Sequence, residues 1–224
     1  MNGVINLDKP AGMTSAAAVR RVKRLLPPGT RIGHAGTLDP FATGVLLLLV
    51  GKATKASQSL MDQPKGYEAT IRLGATTATD DPESEEIITP DAAEPTLEQI
   101  RAMTKMFLGT IPQLPPRFSA MKIGGRRAYD LARRNQPVKL QPRDVRIDAI
   151  EILAWHPPLL QLRVDCGRGT YIRALARDLG QKLGTGGYLT QLRRTRLGRF
   201  TADRSIPLDR LLGEGPAPYL QPII

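Results

Sequence analysis

The sequence has one cysteine, Cys166, and two histidines, His34 and His156. A single thiol forms neither a disulfide within the chain nor a thiolate metal cluster, and two histidines alone argue against a zinc site. We therefore expect no metal and no cofactor. Aromatic residues make up only 4% of the chain, which argues against repeated base-stacking platforms for single-stranded nucleic acid.

Long apolar runs and a targeting segment are also lacking. No run approaches the roughly 18 residues of a membrane helix, and the first residues show no charged region followed by an apolar one. We therefore expect a cytoplasmic protein without a membrane partner. Its 224 residues suit one large domain with a sizeable core, or two small domains, and a single domain is the expectation.

Acidic residues are scarce outside one segment. Residues 80–100 carry eight acidic side chains and no basic one, so the rest of the chain holds 32 Lys and Arg against 13 Asp and Glu. Such a basic surface indicates a polyanionic partner, nucleic acid in particular, because neutralised phosphates release counterions. On charge alone, an ordinary solvated basic face is the alternative.

A second basic feature lies at 117–146, with nine Lys or Arg and two Asp. The pattern predicts a strand over 118–123, a turn at Gly124-Gly125 and a short helix over 128–134. A projecting basic turn of this kind suits gripping a folded RNA or DNA from outside. A solvated surface loop fits the same residues equally well.

Helical and strand patterns are mixed without regular βαβ alternation, which predicts an α+β fold with a largely antiparallel sheet. The expected helices cover 15–26, 52–61, 96–107, 170–184 and 205–212, with N-caps at Thr14 or Ser15, at Thr96 and at Thr170. The expected strands cover 4–7, 45–50, 67–73, 143–154, 160–166 and 189–200, and the pair 143–154 and 160–166 is expected to be antiparallel.

The stretch 33–44 contains three glycines, one proline and one carboxylate, Asp39, just before the apolar run 45–50. Glycine lets the backbone bend or lets another molecule approach, so the stretch predicts a loop that presents Asp39 from a rigid core. Asp39-Pro40 is also ordinary turn chemistry. Tyr67 begins an alternating strand on its buried face, where an ordinary core tyrosine would also lie.

Arg173 falls in the first turn of the helix expected after Thr170. The helix dipole disfavours a cation there by about 0.3–1 kcal/mol. Unless the placement is accidental, it indicates an anionic partner, either a protein carboxylate or a phosphate.

Five segments carry a family resemblance. They are DKPAGMTS at 8–15, GHAGTLDPFATG at 33–44, KGY at 65–67, QLPPRFSAMK at 113–122 and GTYIR at 169–173. In order and spacing they resemble the bacterial TruB family of tRNA pseudouridine synthases. The resemblance implies the pseudouridine synthase fold, a mixed, largely antiparallel central sheet flanked by helices. It also implies isomerisation of the T-loop uridine of tRNA, position 55, to pseudouridine.

The resemblance assigns roles to particular residues. Asp39 is implied as the nucleophile, toward either the ribose C1′ or the uracil C6. Tyr67 is implied to pack on the target base and to take the C5 proton, and Arg173 to pair with Asp39. Substrate contacts are implied for four further residues: His34, Tyr171, Leu192 and Lys9. The implied partner is the tRNA T arm, with no obligate protein partner, and the expected state is a monomer.

The expected organisation is a catalytic domain over 1–212, with a basic RNA-gripping insertion at 117–146 and a proline-rich tail at 213–224. We expect no C-terminal PUA-type module, which would be a departure from the family. The sequence also has Ala78 where the family usually has aspartate and Asn135 where it usually has glycine. Two other functions share these features: a non-catalytic RNA-binding protein with this fold, and an aspartate-dependent nucleic-acid glycosylase.

Overall fold

The computed structural model describes residues 1–118, 122–123, 126–127 and 140–222. The chain divides into two compact units: Met1–Tyr67 with Leu192–Ile224 (unit 1), and Glu68–Gln191 (unit 2). None of the described helices is long and apolar enough to cross a membrane.

The strands are β1 (Gly3–Lys9), β2 (Ile32–Ala35), β3 (Thr43–Val50), β4 (Lys65–Leu73), β5 (Ala75–Thr77), β6 (Glu86–Ile88), β7 (Gly109–Gln113), β8 (Lys122–Ile123), β9 (Arg126–Arg127), β10 (Arg143–His156), β11 (Leu159–Cys166), β12 (Gly187–Leu197), β13 (Phe200–Thr201) and β14 (Ile206–Pro207). The α-helices are α1 (Ser15–Lys23), α2 (Ser57–Met61), α3 (Leu97–Lys105), α4 (Ile172–Lys182) and α5 (Leu208–Glu214). Short 3₁₀ turns cover Gly51–Ala56, Ala202–Arg204 and Ala217–Tyr219.

The sheet of unit 1 is built around β3, whose apolar run from Val45 to Val50 is fully buried. β3 pairs antiparallel with β1 on one side and with β2 on the other, and β14 runs parallel to β1. The end of β12 in unit 1 runs parallel to β3 and pairs antiparallel with β13. Parallel and antiparallel pairs therefore mix within this unit.

One edge of β3 changes partner along its length. β2 pairs with residues 47–50 of β3, whereas Arg193 and Arg194 of β12 pair with Thr43 and Gly44. β1 occupies the opposite edge at both levels. The loop between β2 and β3 therefore leaves the sheet at the point where β3 stops pairing with β2 and starts pairing with β12.

The sheet of unit 2 has the order β4, β11, β10, β7, in which β10 pairs antiparallel with both β11 and β7. β5 and β6 form a separate antiparallel pair. Alternation buries Ala69, Ile71 and Leu73 on one face of β4. Helix α4 buries an apolar stripe, and α3 contacts both α4 and β10.

Most of the expected elements are confirmed, as is the α+β class with a mixed, largely antiparallel sheet. Thr14 caps α1, Thr96 and Gln99 form the capping box of α3, and β10 and β11 pair as expected. β8 and β9 pair antiparallel. The expected turn at Gly124-Gly125 and residues 119–121 of the expected strand lie outside the described residues. The helix expected over 128–134 lies outside the described residues.

Five expectations about local structure are wrong. Gly33 to Ala35 belong to strand β2 instead of the loop, and the segment 52–61 begins as a 3₁₀ turn. The N-cap of α4 is Tyr171, because the hydroxyl of Thr170 donates to the carbonyl of Gly167. The helix expected over 205–212 begins only at Leu208, since Ile206 and Pro207 form β14 beside β1. The strand expected to reach residue 200 ends at Leu197, before a turn at Gly198.

Candidate active site

Asp39 lies half-buried on the loop 36–42, between β2 and β3 of unit 1. The loop is flanked by two glycines with positive φ, Gly36 at 78° and Gly44 at 97°. A Cβ on Gly44 would lie 2.2 Å from the carbonyl oxygen of Arg194. Glycine at position 44 is therefore required both by the backbone conformation and by the close approach of β12.

Arg194 of β12 holds the base of this loop. Its side chain is only 1% exposed. Its Nε donates to the carbonyl of Val45 at 2.7 Å, Nη2 to Gly36 at 2.9 Å and Nη1 to Thr37 at 3.5 Å. These bonds link the residues that enter and leave the loop, because Gly36 follows β2 and Val45 lies in β3.

Ser15 and Gly12 hold the residues on either side of Asp39. The Oγ of Ser15 accepts from the amide of Leu38 at 2.9 Å and donates to its carbonyl at 3.0 Å. The amide of Gly12 donates to the carbonyl of Pro40 at 2.9 Å. The backbone is thus anchored immediately before and after Asp39, so its side chain projects from a fixed frame.

Lys9 lies fully buried beneath the loop. Its ammonium group donates to the carbonyls of Pro10 and Met13 at 2.8 Å each and of Pro40 at 3.2 Å. Burial lowers the pKa of Lys9 to about 8, although the charge of Asp39 acts in the opposite direction, and Arg194 lowers the pKa further. The three ammonium hydrogens are used within the chain, which gives Lys9 a positioning role. Direct contact with substrate stays a prediction, and it would require Lys9 to give up one of these carbonyls.

Three other predicted site residues belong to unit 1, as Asp39 does. His34 lies half-buried on β2 opposite Leu48, one residue before the end of the strand. Tyr67 of β4 and Leu192 of β12 are both buried, which confirms the buried face expected for Tyr67. Their contacts with substrate stay predictions.

Arg173 is the second residue of α4 in unit 2 and is only 4% exposed. Its Nη1 lies 3.0 Å from Oδ2 of Asp81 and also donates to the carbonyl of Thr79 at 3.0 Å. Its Nη2 donates to the carbonyl of Phe118 at 2.8 Å. Asp81 is therefore an anionic partner of the kind expected from the position of Arg173. Pairing of Arg173 with Asp39 stays a prediction.

Tyr171, immediately before α4, is fixed through its backbone. The side-chain amide of Gln113 accepts from the Tyr171 amide at 2.8 Å and donates to its carbonyl at 3.1 Å. Gln113 is buried, whereas Tyr171 is half-buried. The backbone is thus held while the phenol ring stays partly accessible, which suits the substrate contact predicted for Tyr171.

The sequence reasoning missed Arg194, Ser15 and Asp81 as parts of this machinery. Arg194 was expected only as part of a basic strand, although the period of two from Leu192 places both side chains on one face. Asp81 lay within the acidic segment 80–100, and the position of Arg173 was the one signal that a carboxylate partner existed. Ser15 was expected only as an alternative to Thr14 for the N-cap of α1, and no local pattern indicates that its hydroxyl binds the Asp39 loop.

Comparison with known proteins identifies the family of the chain. Residues 23–172 match the TruB family pseudouridylate synthase N-terminal domain, and residues 173–216 match the tRNA pseudouridylate synthase B C-terminal domain. The chain is 52% identical over 217 residues to tRNA pseudouridine synthase B of Mycobacterium sp. (strain KMS), covering 95% of this chain and 72% of that protein. It is 48% identical over 212 residues to the same enzyme of Gloeobacter violaceus, covering 93% and 72%.

A solved structure described as a Cbf5-Nop10-Gar1 complex matches with a TM-score of 0.73 and 33% identity. The match covers 94% of this chain but 54% of the other, so the chain spans about half the length of that protein. The fold and the relatives define a pseudouridine synthase, an isomerase that acts on uridine in RNA. More narrowly, the chain belongs to the TruB family of tRNA pseudouridine synthases.

Proposed function

We propose that the chain isomerises the uridine at position 55 in the T loop of tRNA to pseudouridine, with Asp39 as the nucleophile. The observation that carries this proposal is the fixed frame around Asp39. Arg194, Ser15, Gly12 and Lys9 hold backbone groups from residue 36 to residue 40 and leave the carboxylate half-buried at the surface of the loop. A reacting group must be held in this way for its geometry to be productive.

The chemistry suits a single carboxylate. Breaking the bond between uracil N1 and ribose C1′ develops oxocarbenium character, which a nearby carboxylate stabilises or traps covalently. The base then turns, a bond forms between C5 and C1′, and the proton on C5 is lost while N1 gains one. Nothing is added or removed overall, so no second carboxylate is needed to activate water or to protonate a leaving alcohol. Attack at C1′ and attack at C6 both fit this sequence.

The remaining residues have proposed roles around the base. Tyr67 packs against the target uracil; a phenol is a weak base, so packing is the stronger part of its role. His34 stacks in the space that the extruded uridine leaves, because a base in a folded loop must leave its stack before it reacts. Tyr171 and Leu192 contact the substrate.

Arg173 is proposed to keep Asp39 ionised through charge-assisted hydrogen bonds. The partner is the T arm of tRNA, and the proposed state is a monomer that needs no other protein. The basic segment 117–146 and the domain limits 1–212 belong to the same proposal.

The test is to incubate the purified chain with an unmodified tRNA transcript and to map pseudouridine by position. The expected product is pseudouridine at position 55, and a transcript with cytidine there should remain unmodified. Release of free uracil would instead indicate a glycosylase. Tight tRNA binding without either product would indicate a non-catalytic RNA-binding protein.

A further inference from the structure

Unit 1 contains a long segment that is almost free of acidic residues. Between Lys9 and Met61 the chain has eight Lys and Arg but only one acidic residue, Asp39. Lys9 is buried, and the other seven cations are exposed: Arg20, Arg21, Lys23, Arg24, Arg31, Lys52 and Lys55. Within the part of the chain that the structure describes, none of these seven forms an ion pair. The surface that this segment contributes therefore carries positive charge that no ion pair among the described residues balances.

Part of this surface forms an open groove of about 500 Å³ between the end of α1, the turn that follows it and the first 3₁₀ turn. Lys23 and Arg31 line it together with the hydroxyl-bearing Thr54. Gly29 and Gly33 also line it, and a Cβ at either position would meet nothing within 4 Å. The absence of side chains at these glycines leaves the groove open between its two cations.

The groove and the Asp39 loop lie at opposite ends of β2. The groove is lined by Arg31 and the first residues of β2, and the loop begins after Ala35. At about 3.3 Å per residue, Arg31 is roughly 13 Å from Ala35 along the strand. That length corresponds to roughly four base steps of about 3.4 Å in a duplex. When the reacting base of an RNA lies at Asp39, the groove is therefore within reach of backbone phosphates several nucleotides from that base.

Local structure explains only part of the charge. Arg20, Arg21 and Lys23 lie in the last turn of α1, where the helix dipole favours cations by about 0.3–1 kcal/mol. That effect does not apply to Arg31, Lys52 or Lys55, which lie outside the helix. Elsewhere in the same unit, two exposed or half-exposed arginines do have carboxylate partners: Arg193 pairs with Asp8 and Arg210 with Glu214.

We propose that this groove binds the phosphodiester backbone of the RNA substrate, at a site several nucleotides from the reacting uridine. The inference rests on the proposed function, because it takes the tRNA as the ligand. Lys23 and Arg31 each neutralise one backbone phosphate, and the neighbouring exposed cations add to the attraction. These contacts carry no sequence information; they set the orientation of the RNA on the protein.

The test compares two double variants that lose the same charge. Lys23→Gln with Arg31→Gln removes the groove cations, and Arg204→Gln with Arg210→Gln removes two exposed cations of the same unit elsewhere. Affinity for an unmodified tRNA transcript is measured at several salt concentrations. The groove variant should bind about 10- to 30-fold more weakly near physiological salt, and its plot of log K against log salt should be shallower by about 1.5. The control variant should keep the slope of the unaltered protein.

Kinetics and stability complete the test. The groove variant should show a raised KM with kcat retained, and its free energy of unfolding should match that of the control. An unchanged salt slope, or equal losses in both variants, would overturn the groove proposal, as would binding to anionic lipid vesicles without any change in RNA affinity. Absence of pseudouridine formation by the unaltered protein would overturn the proposed function. The salt dependence of RNA affinity tests the groove alone, so the two failures are distinguishable.

Discussion

Arg173 in unit 2 and Arg194 in unit 1 are both almost fully buried, but their guanidinium groups have different partners. Arg173 forms an ion pair with Asp81 and also donates to two carbonyls. Arg194 donates to three carbonyls, and among the described residues it has no carboxylate partner. The charge of Arg173 is thus balanced by a neighbouring carboxylate, whereas Arg194 adds a positive charge beneath the loop that carries Asp39.

The same difference appears at the surface. In unit 2, several exposed or half-exposed arginines have acidic partners, as in Arg72 with Glu86 and Arg163 with both Glu68 and Glu151. In unit 1, the seven exposed cations between residues 9 and 61 have none among the described residues. We infer that the charges of these unit 2 arginines are balanced by carboxylates of the same unit. The excess positive charge of unit 1 is available for a carboxylate nucleophile and for RNA.

The largest loss of stability is expected when the buried ion pair between Arg173 and Asp81 is broken. Asp81→Asn should lower the free energy of unfolding by about 3–5 kcal/mol, because it replaces the buried carboxylate that pairs with Arg173 by a neutral amide. The change also weakens the bonds that Asp81 accepts from Thr79 and from the amide of Glu83. Denaturant unfolding measures the change. Asp148→Asn, at the exposed pair with Arg146, is the control and should cost under about 1 kcal/mol. Equal losses in the two variants would contradict the assigned role of Asp81.

A smaller loss of stability, but a large loss of rate, is expected at Arg194. Arg194→Met leaves three carbonyls without their donor and should cost about 3 kcal/mol, whereas Arg194→Lys keeps the charge and some of the bonds and should cost about half as much. Because a displacement of about 1 Å can cost roughly 100-fold in rate, single-turnover pseudouridine formation should fall about 100-fold in Arg194→Met. Partial recovery of the rate in Arg194→Lys would support a positioning role. A stable Arg194→Met protein with full activity would refute it.

The lowered pKa of Lys9 predicts that both the rate and the stability of the protein depend on pH. Above about pH 8 the buried amine loses one of the three hydrogens that it donates to carbonyls, so the single-turnover rate should fall several-fold between about pH 7 and 9. Because the pKa of Lys9 is below its ordinary value, the folded protein binds fewer protons than the unfolded chain between pH 8 and 10.5. This group therefore makes the free energy of unfolding rise with pH in that range while activity falls.

Lys9→Met serves as the reference for this pH experiment. Its rate should be lower but flat over the same range, and its free energy of unfolding should lack the rise with pH that Lys9 contributes. A wild-type rate that stays constant from pH 7 to 9 would show that the protonated amine is not needed for the loop.

The smallest effect is expected at the exposed ion pairs of unit 2. Arg163→Gln removes contacts to Glu68 and Glu151, but all three side chains are at least 43% exposed, so solvent screens the interaction. We expect a loss of under about 1 kcal/mol in the free energy of unfolding and no change in the rate. A loss of free energy of unfolding as large as that of Asp81→Asn would show that solvent exposure does not decide how much an ion pair contributes to stability.

Local patterns in the sequence predicted the regular elements well where the deciding interactions are close in the chain. The capping box of α3 involves residues three positions apart, and the burial of β4 follows from its alternation. The motif around Asp39 was found because its glycines mark a strained backbone, and Gly36 and Gly44 indeed have positive φ. Short strand β2 was missed because Gly33 and His34 carry no strand pattern; pairing with β3 creates the strand.

The buried charges could not be predicted in this way. Arg194 reaches carbonyls about 150 residues away in the sequence, and Arg173 reaches Asp81 across 92 residues. Local patterns treat lysine and arginine as surface residues, because burial of their charge is favourable only when distant parts of the chain supply the acceptors. The wrong N-cap at Thr170 has a local cause: its hydroxyl donates to the carbonyl of Gly167 in the preceding turn.

The most direct measurement is the single-turnover yield of pseudouridine at position 55 by Asp39→Asn, with tRNA affinity determined on the same preparation. We predict no pseudouridine and unchanged affinity, because the amide keeps the shape of the side chain but cannot act as the nucleophile. Asp209→Asn, an exposed change in the same unit, should retain full activity. Pseudouridine formation by Asp39→Asn at the rate of the unaltered protein would contradict the account.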